Sequence, residues 1–378
     1  MIDTLVIGGG PAGSMVALRL AHAGRAVVLV EKERGPHPKV CGEFLSREAV
    51  EYLGQVGIDL RGLGAVPIHR VRLHAGRRMV QAHLPFRAMS LSRSRMDEAL
   101  LERAQKSGCD VRRGVEVETL SREGGQWRIG IRGGEPLGAK TVFLATGKHE
   151  IRGWARSAVR QTDLVGFKMQ WRLRPEQIQR LRGVMELFLF RDGYGGMSLV
   201  EDDAATLCFV IRRVRLRGVG GGAGVVDAIR SESRSLRERL SGAEALYDRP
   251  LAISSIPYGH VVGEEDRGVW CVGDQAAVIP SFTGDGMSIA LHSAALAAQM
   301  ALAGRSVAEF NVTLRAQVRT GMRIATALSQ AMVTPVGRGL APAVLSFLPG
   351  GMRWIAAATR IPESALVAAE AWRQVSPA

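Results

Sequence analysis

At 378 residues, 46% of them hydrophobic, the chain has ample material for a large core, which excludes a disordered or fibrous protein. A net charge of +14 points to an anionic partner: nucleic acid, an anionic membrane surface, or an acidic substrate or carrier, with an arginine-rich solvated surface as the plain alternative. Only 5% aromatic residues and arginines spread along the chain argue against nucleic acid, and four scattered cysteines (Cys41, Cys109, Cys208, Cys271) without C-x-x-C spacing or a histidine cluster exclude a zinc site and a disulfide framework.

The chain opens as strand, glycine turn, helix, strand: Thr4 to Gly8, Gly8 to Gly13, Ala12 to Ala23, Ala26 to Glu31. No basic leader stretch precedes the first apolar strand, so the expectation is a cytoplasmic protein. Val71 to Leu84 alternates as two short strands, and Arg95 to Ser107 has helical periodicity with Leu100, Leu101 and Ala104 inward. Val111 to Thr119, Trp127 to Arg132 and Thr141 to Ala145 read as strands. From about Gly166 to Ala252, strand-like runs (Phe167 to Leu173, Met185 to Phe190, Thr206 to Arg212) mix with one arginine-rich helix over Val225 to Leu240. A buried strand at Val269 to Val272, a loop, and a small-residue helix from Met287 to Leu302 follow, and the tail from Asn311 is mostly helical. The uncharged stretch around Pro342 and Pro349 is too short to span a bilayer, which leaves an interfacial contact open.

Gly8-Gly9-Gly10-Pro11-Ala12-Gly13 satisfies G-x-G-x-x-G immediately after an apolar strand and at a helix start, the context in which glycines let the backbone approach a pyrophosphate. Glu31 lies 18 residues past Gly13, at the end of the second strand, where a carboxylate accepts from ribose hydroxyls. An adenosine diphosphate moiety is the expected ligand. Gly218 to Ala223 repeats the glycine spacing, but no apolar strand ending in an acid follows it, so a second dinucleotide site is not expected. A distal segment decides between FAD and NAD in favour of FAD. Gly273-Asp274 after a buried strand, then Pro280 and Gly284-Asp285-Gly286-Met287, place a carboxylate for a polyol hydroxyl and a helix N-terminus against the pyrimidine edge of an isoalloxazine.

On these residues, together with the Lys39-Val40-Cys41-Gly42-Glu43 segment, Arg93 with Asp97, and the Ala145-Thr146-Gly147 turn, the chain resembles the FAD-dependent oxidoreductases that include aromatic hydroxylases and geranylgeranyl reductases. The resemblance spans about residues 3 to 305. It implies an α/β protein with a Rossmann-like FAD-binding domain (1–70, 92–165 and 253–305) interrupted by a sheet-rich substrate domain (71–91 and 166–252), then a helical C-terminal region (306–378). It places Lys32, Lys39, Cys41, Gly42 and Arg93 along FAD, Asp274 at the ribityl chain, and Gly284 to Met287 at the flavin ring. Tyr194-Gly195-Gly196 and the Lys-Val-Cys-Gly segment resemble the reductase branch, and Tyr194, Gly195 and Gly196 are the candidate substrate residues. Against the hydroxylases, the Asp-Gly pair expected after the strand at 141–145 is replaced by Thr146-Gly147-Lys148-His149. Against the reductases, the Trp-containing proline motif is absent, as is the Trp-x-Trp-x-Ile-Pro motif of flavin halogenases.

The expected activity is hydroxylation of a lipophilic or polyketide-like small molecule by dioxygen captured at the flavin C4a. The alternatives are reduction of a carbon–carbon double bond by hydride from flavin N5, and non-enzymatic electron transfer. Electrons come from NAD(P)H or a separate reductase. Cys41 is the candidate proton donor or gate beside the flavin. His149, His260 and His292 are more readily satisfied structural side chains than acids or bases. A peripheral membrane or acidic carrier contact accounts for the positive charge; the oligomeric state is not legible.

Overall fold

The computed structural model describes residues 1–156, 162–264, 267–347 and 350–368. In chain order the elements are β1 (Ile2–Ile7), α1 (Pro11–His22), β2 (Val27–Glu31), β3 (Phe44–Leu45), α2 (Arg47–Gln55), β4 (Val66–Ala75), β5 (Arg78–Ser90), α3 (Arg93–Lys106), β6 (Asp110–Arg113), β7 (Val117–Glu123), β8 (Gln126–Ile131) and β9 (Leu137–Leu144). They continue as β10 (Leu164–Arg172), α4 (Pro175–Leu181), β11 (Val184–Phe190), β12 (Gly193–Leu199), β13 (Ala204–Arg212), α5 (Arg213–Gly218), α6 (Gly221–Glu232), α7 (Arg234–Arg239), β14 (Glu244–Ala245), β15 (Leu251–Ile253) and β16 (Trp270–Cys271). Four helices close the chain: α8 (Gly286–Leu302), α9 (Val307–Met332), α10 (Pro335–Phe347) and α11 (Gly351–Ala358). None of the described helices is long and apolar enough to cross a membrane.

Among the described residues the strands form two sheets. The first runs β6-β2-β1-β9-β8-β7, with β16 on β9. Its β6, β2, β1, β9 and β16 pair in parallel, which puts the crevice at the carboxyl end of β1, where the strand order reverses. Helices α1 and α8 cover this sheet with small residues: in α8, Ala290, Ala294, Ala295, Ala297 and Ala298 are all buried, so the backbones approach closely.

The second sheet runs β14-β10-β13-β12-β11-β4-β5-β3, with β15 on β10. Alternation assigns its two faces. Val165, Phe167, Phe188, Leu207 and Phe209 pack under α5 to α7, where Arg239 donates to Glu186 at 2.9 and 2.7 Å. Burial alone would raise the Glu186 pKa, but the Arg239 and His74 hydrogen bonds outweigh it and lower it to about 2. The other face, with Leu73, Leu189, Tyr194 and Val210, meets the C-terminal helices around Leu345 and Met352.

Several sequence expectations need correcting in detail. The two short strands expected within 71–84 are a long hairpin, β4 and β5, because the alternation continues through Ile68 and Ala88 at both ends. The single strand expected over Val111 to Thr119 is divided at Gly114, whose φ of +74° belongs to a turn. The single helix over Val225 to Leu240 breaks at Ser233, whose hydroxyl caps α7 by accepting from Leu236 N at 3.3 Å. Helix α2 and strand β12 were not read from the sequence. In β12, Gly193, Gly195 and Gly196 hide a strand that its neighbours impose.

Candidate functional site

The glycine turn between β1 and α1 is compressed from beneath. Gly8 has φ +106°, and a Cβ there would lie 2.5 Å from the carbonyl oxygen of Ala145. At Gly13 a Cβ would lie 1.8 Å from the carbonyl oxygen of Gly8, so the turn tolerates no side chain on its inner side. Above the turn there is room: a Cβ on Gly10 would meet only the Arg93 guanidinium at 3.5 Å and the Lys39 ammonium at 3.9 Å. Helix α1 begins with no side-chain cap and no acid in its first turn, so its N-terminal N–H groups face this cationic seat.

The charges around the seat are fixed by the protein. Lys39 lies 3.1 Å from Asp97, and Arg93 reaches the same carboxylate at 2.7 and 2.8 Å, which leaves one net positive charge. Burial disfavours both charged forms, but Arg93 and Lys39 outweigh it at Asp97 and pull its pKa down, while Asp97 raises that of Arg93. Glu31 accepts from Gly9 N at 2.6 Å and Glu33 N at 3.0 Å, one bond per carboxylate oxygen. Each oxygen keeps a lone pair for a ribose hydroxyl.

The turn after β9 and the turn after β16 are joined by Gln275, whose amide donates to Thr146 Oγ1 (3.0 Å), Gly147 O (2.8 Å) and His149 O (2.9 Å). Asp274, expected at the ribityl chain, lines the cavity and is paired with Lys148 at 3.0 Å. Burial lowers the Lys148 pKa, but Asp274 more than compensates and raises it. Gly284 (φ +73°) lets the 281–284 turn pass Phe44, which a Cβ would meet at 2.4 Å. Cys41 is partly buried, accepts from Glu43 N at 3.4 Å, and lies beside Arg93.

One continuous cavity of about 760 Å³ connects these parts to the second sheet. Gly8, Gly10, Pro11, Ala12, Glu31 and Lys32 line one end; Lys39, Cys41, Gly42, Arg93, Ala145, Thr146 and Gly147 line its side; Gly273, Asp274, Gly284, Gly286 and Met287 line its middle. Three expected cofactor residues do not line it. Gly13 lies under Gly8, Pro280 turns the loop from behind, and Asp285 is directed at Arg360, which also donates to Thr283 O at 3.0 Å. Burial raises the Asp285 pKa to about 7 despite the Arg360 charge.

The far end is apolar. Val71, Leu73, Met185, Leu187, Leu189 and Val210 from the second sheet face Leu328, Met332, Leu345, Met352 and Ile355 from α9 to α11. Tyr194, Gly195 and Gly196, the candidate substrate residues, line it, and a Cβ on Gly196 would press within 3.4 Å of Leu187 and Met185. Tyr194 bonds Ser329 at 3.1 Å, and both Tyr194 and Tyr258 reach Ser281. Burial pushes Tyr194 and Cys208 up to about 12 and Tyr258 well above its ordinary value.

Sequence reasoning missed a buried polar group that ties the segment before β3 to β10 and to the start of α3. Glu43 (φ +58°) is fully buried; it pairs with Lys168 and accepts from Arg93 N at 2.9 Å and Gln170 Nε2 at 3.1 Å. Its only signal was a charged residue closing the Lys39 to Glu43 segment, and Lys168 lay inside an apolar strand. Of the histidines, His149 lines the cavity; burial and then Lys32, Lys39 and Lys148 lower its pKa. His260 faces Gln275 O at 3.3 Å, while His292 bonds Tyr52 at 2.8 Å and Gln317 at 2.7 Å, away from the cavity.

A seat for a diphosphate, a carboxylate for a ribose and a long cavity leading away from both fit FAD. Residues 1–142 match the FAD binding domain family. A probable electron transfer flavoprotein-quinone oxidoreductase of Escherichia coli is 26% identical over 84% of this chain and 80% of its own length. A menaquinone reductase of Mycolicibacterium smegmatis is 25% identical over 80% and 76%. The solved structure of the flavin-dependent brominase Bmp2 superposes with a TM-score of 0.77 over 99% of this chain and 97% of its own, and at 18% identity the likeness is one of fold.

Proposed function

We propose that this chain is an FAD-dependent oxidoreductase of the aromatic hydroxylase superfamily that hydroxylates a lipophilic, polyketide-like small molecule, with NAD(P)H or a separate reductase as electron source and dioxygen as oxidant. One observation carries the reading: the cavity beyond Gly284 is walled mainly by aliphatic side chains, and burial pushes the Tyr194 and Tyr258 hydroxyls and the Cys208 thiol in it away from acidity. Adding hydrogen across a carbon–carbon bond requires a proton donor near neutrality, whereas oxygen transfer requires water to be kept out. When bound, FAD supplies two-electron chemistry and, once reduced, the activation of dioxygen.

The chain's residues do the rest. Glu31, Lys39, Arg93 and the α1 N-terminus bind the adenosine diphosphate part, Lys148 and Asp274 fix the turn under the middle of the cavity, and the aliphatic walls exclude water. One atom of dioxygen enters the substrate; the other leaves as water with the two electrons delivered by the reductant.

A second reading, reduction of a quinone or an alkene, is supported by the names of the two relatives given above and by the Cys41 thiol beside Arg93. Labelled dioxygen separates the readings. Label in the product and no anaerobic turnover are expected; anaerobic turnover of pre-reduced enzyme with no label in any product overturns hydroxylation. Under the favoured reading Cys41→Ser keeps its flavin and most of its turnover, while a strong loss of turnover with flavin intact points to reduction.

A further inference from the structure

Between Glu309 and Glu363 the sequence contains no aspartate or glutamate, but it contains six arginines: Arg315, Arg319, Arg323, Arg338, Arg353 and Arg360. Arg360 is taken up by Asp285, and Arg315 lies 3.8 Å from Glu264. The other four have no acidic partner among the described residues, and Arg319, Arg323 and Arg353 are exposed. The same region carries large apolar side chains in water. Val336, Leu340 and Val344, spaced four apart on α10, are 69%, 56% and 49% exposed, and Trp354 on α11 is 61% exposed. That spacing forms one stripe along a helix.

The opposite sides of these helices are inside the protein. Leu345 on α10, and Met352 and Ile355 on α11, line the apolar end of the cavity. The wall between cavity and exterior is therefore one helix thick at this place. Aliphatic side chains, an exposed tryptophan with the exposed Arg353 next to it, and a run of sequence from 310 to 362 without a carboxylate match the interface of an anionic bilayer, where the apolar stripe enters the acyl boundary and arginine meets phosphate.

We propose that the α10–α11 face docks on anionic phospholipid, which brings a lipophilic substrate to the apolar end of the cavity. The docking stands on the surface alone; the delivery of substrate rests on the reading under Proposed function. An acidic carrier protein would be satisfied by the arginines but leaves the aliphatic stripe without a reason, so the bilayer is the occupant that the face fits.

The test uses the FAD-loaded full chain with vesicles of phosphatidylcholine alone or mixed with phosphatidylglycerol, read by co-sedimentation and by the part of the tryptophan emission that is missing from Trp354→Ala, since the chain has six tryptophans. Binding to the mixed vesicles, a blue shift of emission and little binding to phosphatidylcholine alone are expected. Leu340→Asp with Trp354→Ala should weaken binding by about tenfold or more, and Arg353→Gln by several-fold, on the scale of a few buried methylenes and one interfacial charge. Arg234→Gln, at an exposed ion pair on α7, should change nothing. Flavin content is measured for every variant, so that loss of docking is distinguished from loss of fold. Absence of binding to the mixed vesicles, equal binding by all variants, or a stable dimer that covers Trp354 overturns the proposal, as does capture of a purified acidic carrier protein together with indifference to lipid. None of these readouts depends on the reaction catalysed.

Discussion

At the adenosine end of the cavity the polar groups already hold protein partners: Glu31 has two backbone N–H groups, and Asp97 has Lys39 and Arg93. At the opposite end Leu187, Leu189, Val210 and Met352 offer surface without direction, and the few hydroxyls there, Tyr194 and Tyr258 among them, turn to Ser281. The first end is pre-arranged, so its ligand is chosen by geometry and small intrusions are intolerable. The second end chooses by shape and dryness and accommodates changes of volume. Glu43, which closes the Lys39 to Glu43 run of the first end, is buried against Lys168 of β10 as an ion pair.

The sharpest way to break the contrast is Gly13→Ala, whose methyl would collide with backbone at 1.8 Å. Loss of flavin from the purified protein is expected, read by absorbance with unfolding followed in parallel; a variant that retains flavin would show the turn to be pliable. Next comes Lys168→Met, which leaves the Glu43 carboxylate buried without its cation. The expected loss is roughly 3–5 kcal/mol in denaturant unfolding, much of it recovered when Glu43→Gln is added. A third comparison sets one change from each end side by side. Glu31→Ala should weaken FAD by roughly 1–3 kcal/mol in a binding titration. Leu187→Ala should leave FAD affinity unchanged and raise the KM for a lipophilic substrate by about 1 kcal/mol equivalent. Equal effects of both on flavin would dissolve the distinction between the ends.

The smallest effect concerns His149. Burial and the nearby lysines depress its pKa, so its contribution to stability is present above the ordinary value of 6.5 and is lost as pH falls through the lower folded value. His149→Gln should flatten that acid-side decline. The diphosphate of bound FAD opposes the lysines, so an NMR titration of His149 should move upward on reconstitution.

The same contrast decides what was legible in the sequence. The adenosine end is written in contiguous runs, Gly8 to Gly13 and Lys39 to Glu43, because a tight turn constrains neighbours in the chain. Its Lys148–Asp274 and Lys168–Glu43 pairs were not legible, since each joins residues more than a hundred positions apart. The apolar end is made by every second residue of β4, β11 and β13 and by one side of α9 to α11; alternation identifies two faces of each strand without saying which one meets a ligand. Asp285 was assigned to the flavin on its motif and found at Arg360, a partner from the tail that no local pattern announces.

One topological detail constrains how the molecule comes into being. The β4–β5 hairpin sits within the amino-terminal third of the chain, yet β4 finds its other neighbour in β11, and the Arg72–Glu186 bond across that seam closes over 114 residues. On the ribosome, the hairpin emerges long before the strand it needs. Until Val184 to Phe190 is synthesised, an open strand edge waits beside a half-built flavin core, an arrangement prone to non-native pairing. Truncations ending before β11 are therefore expected to aggregate instead of yielding a soluble flavin-binding fragment.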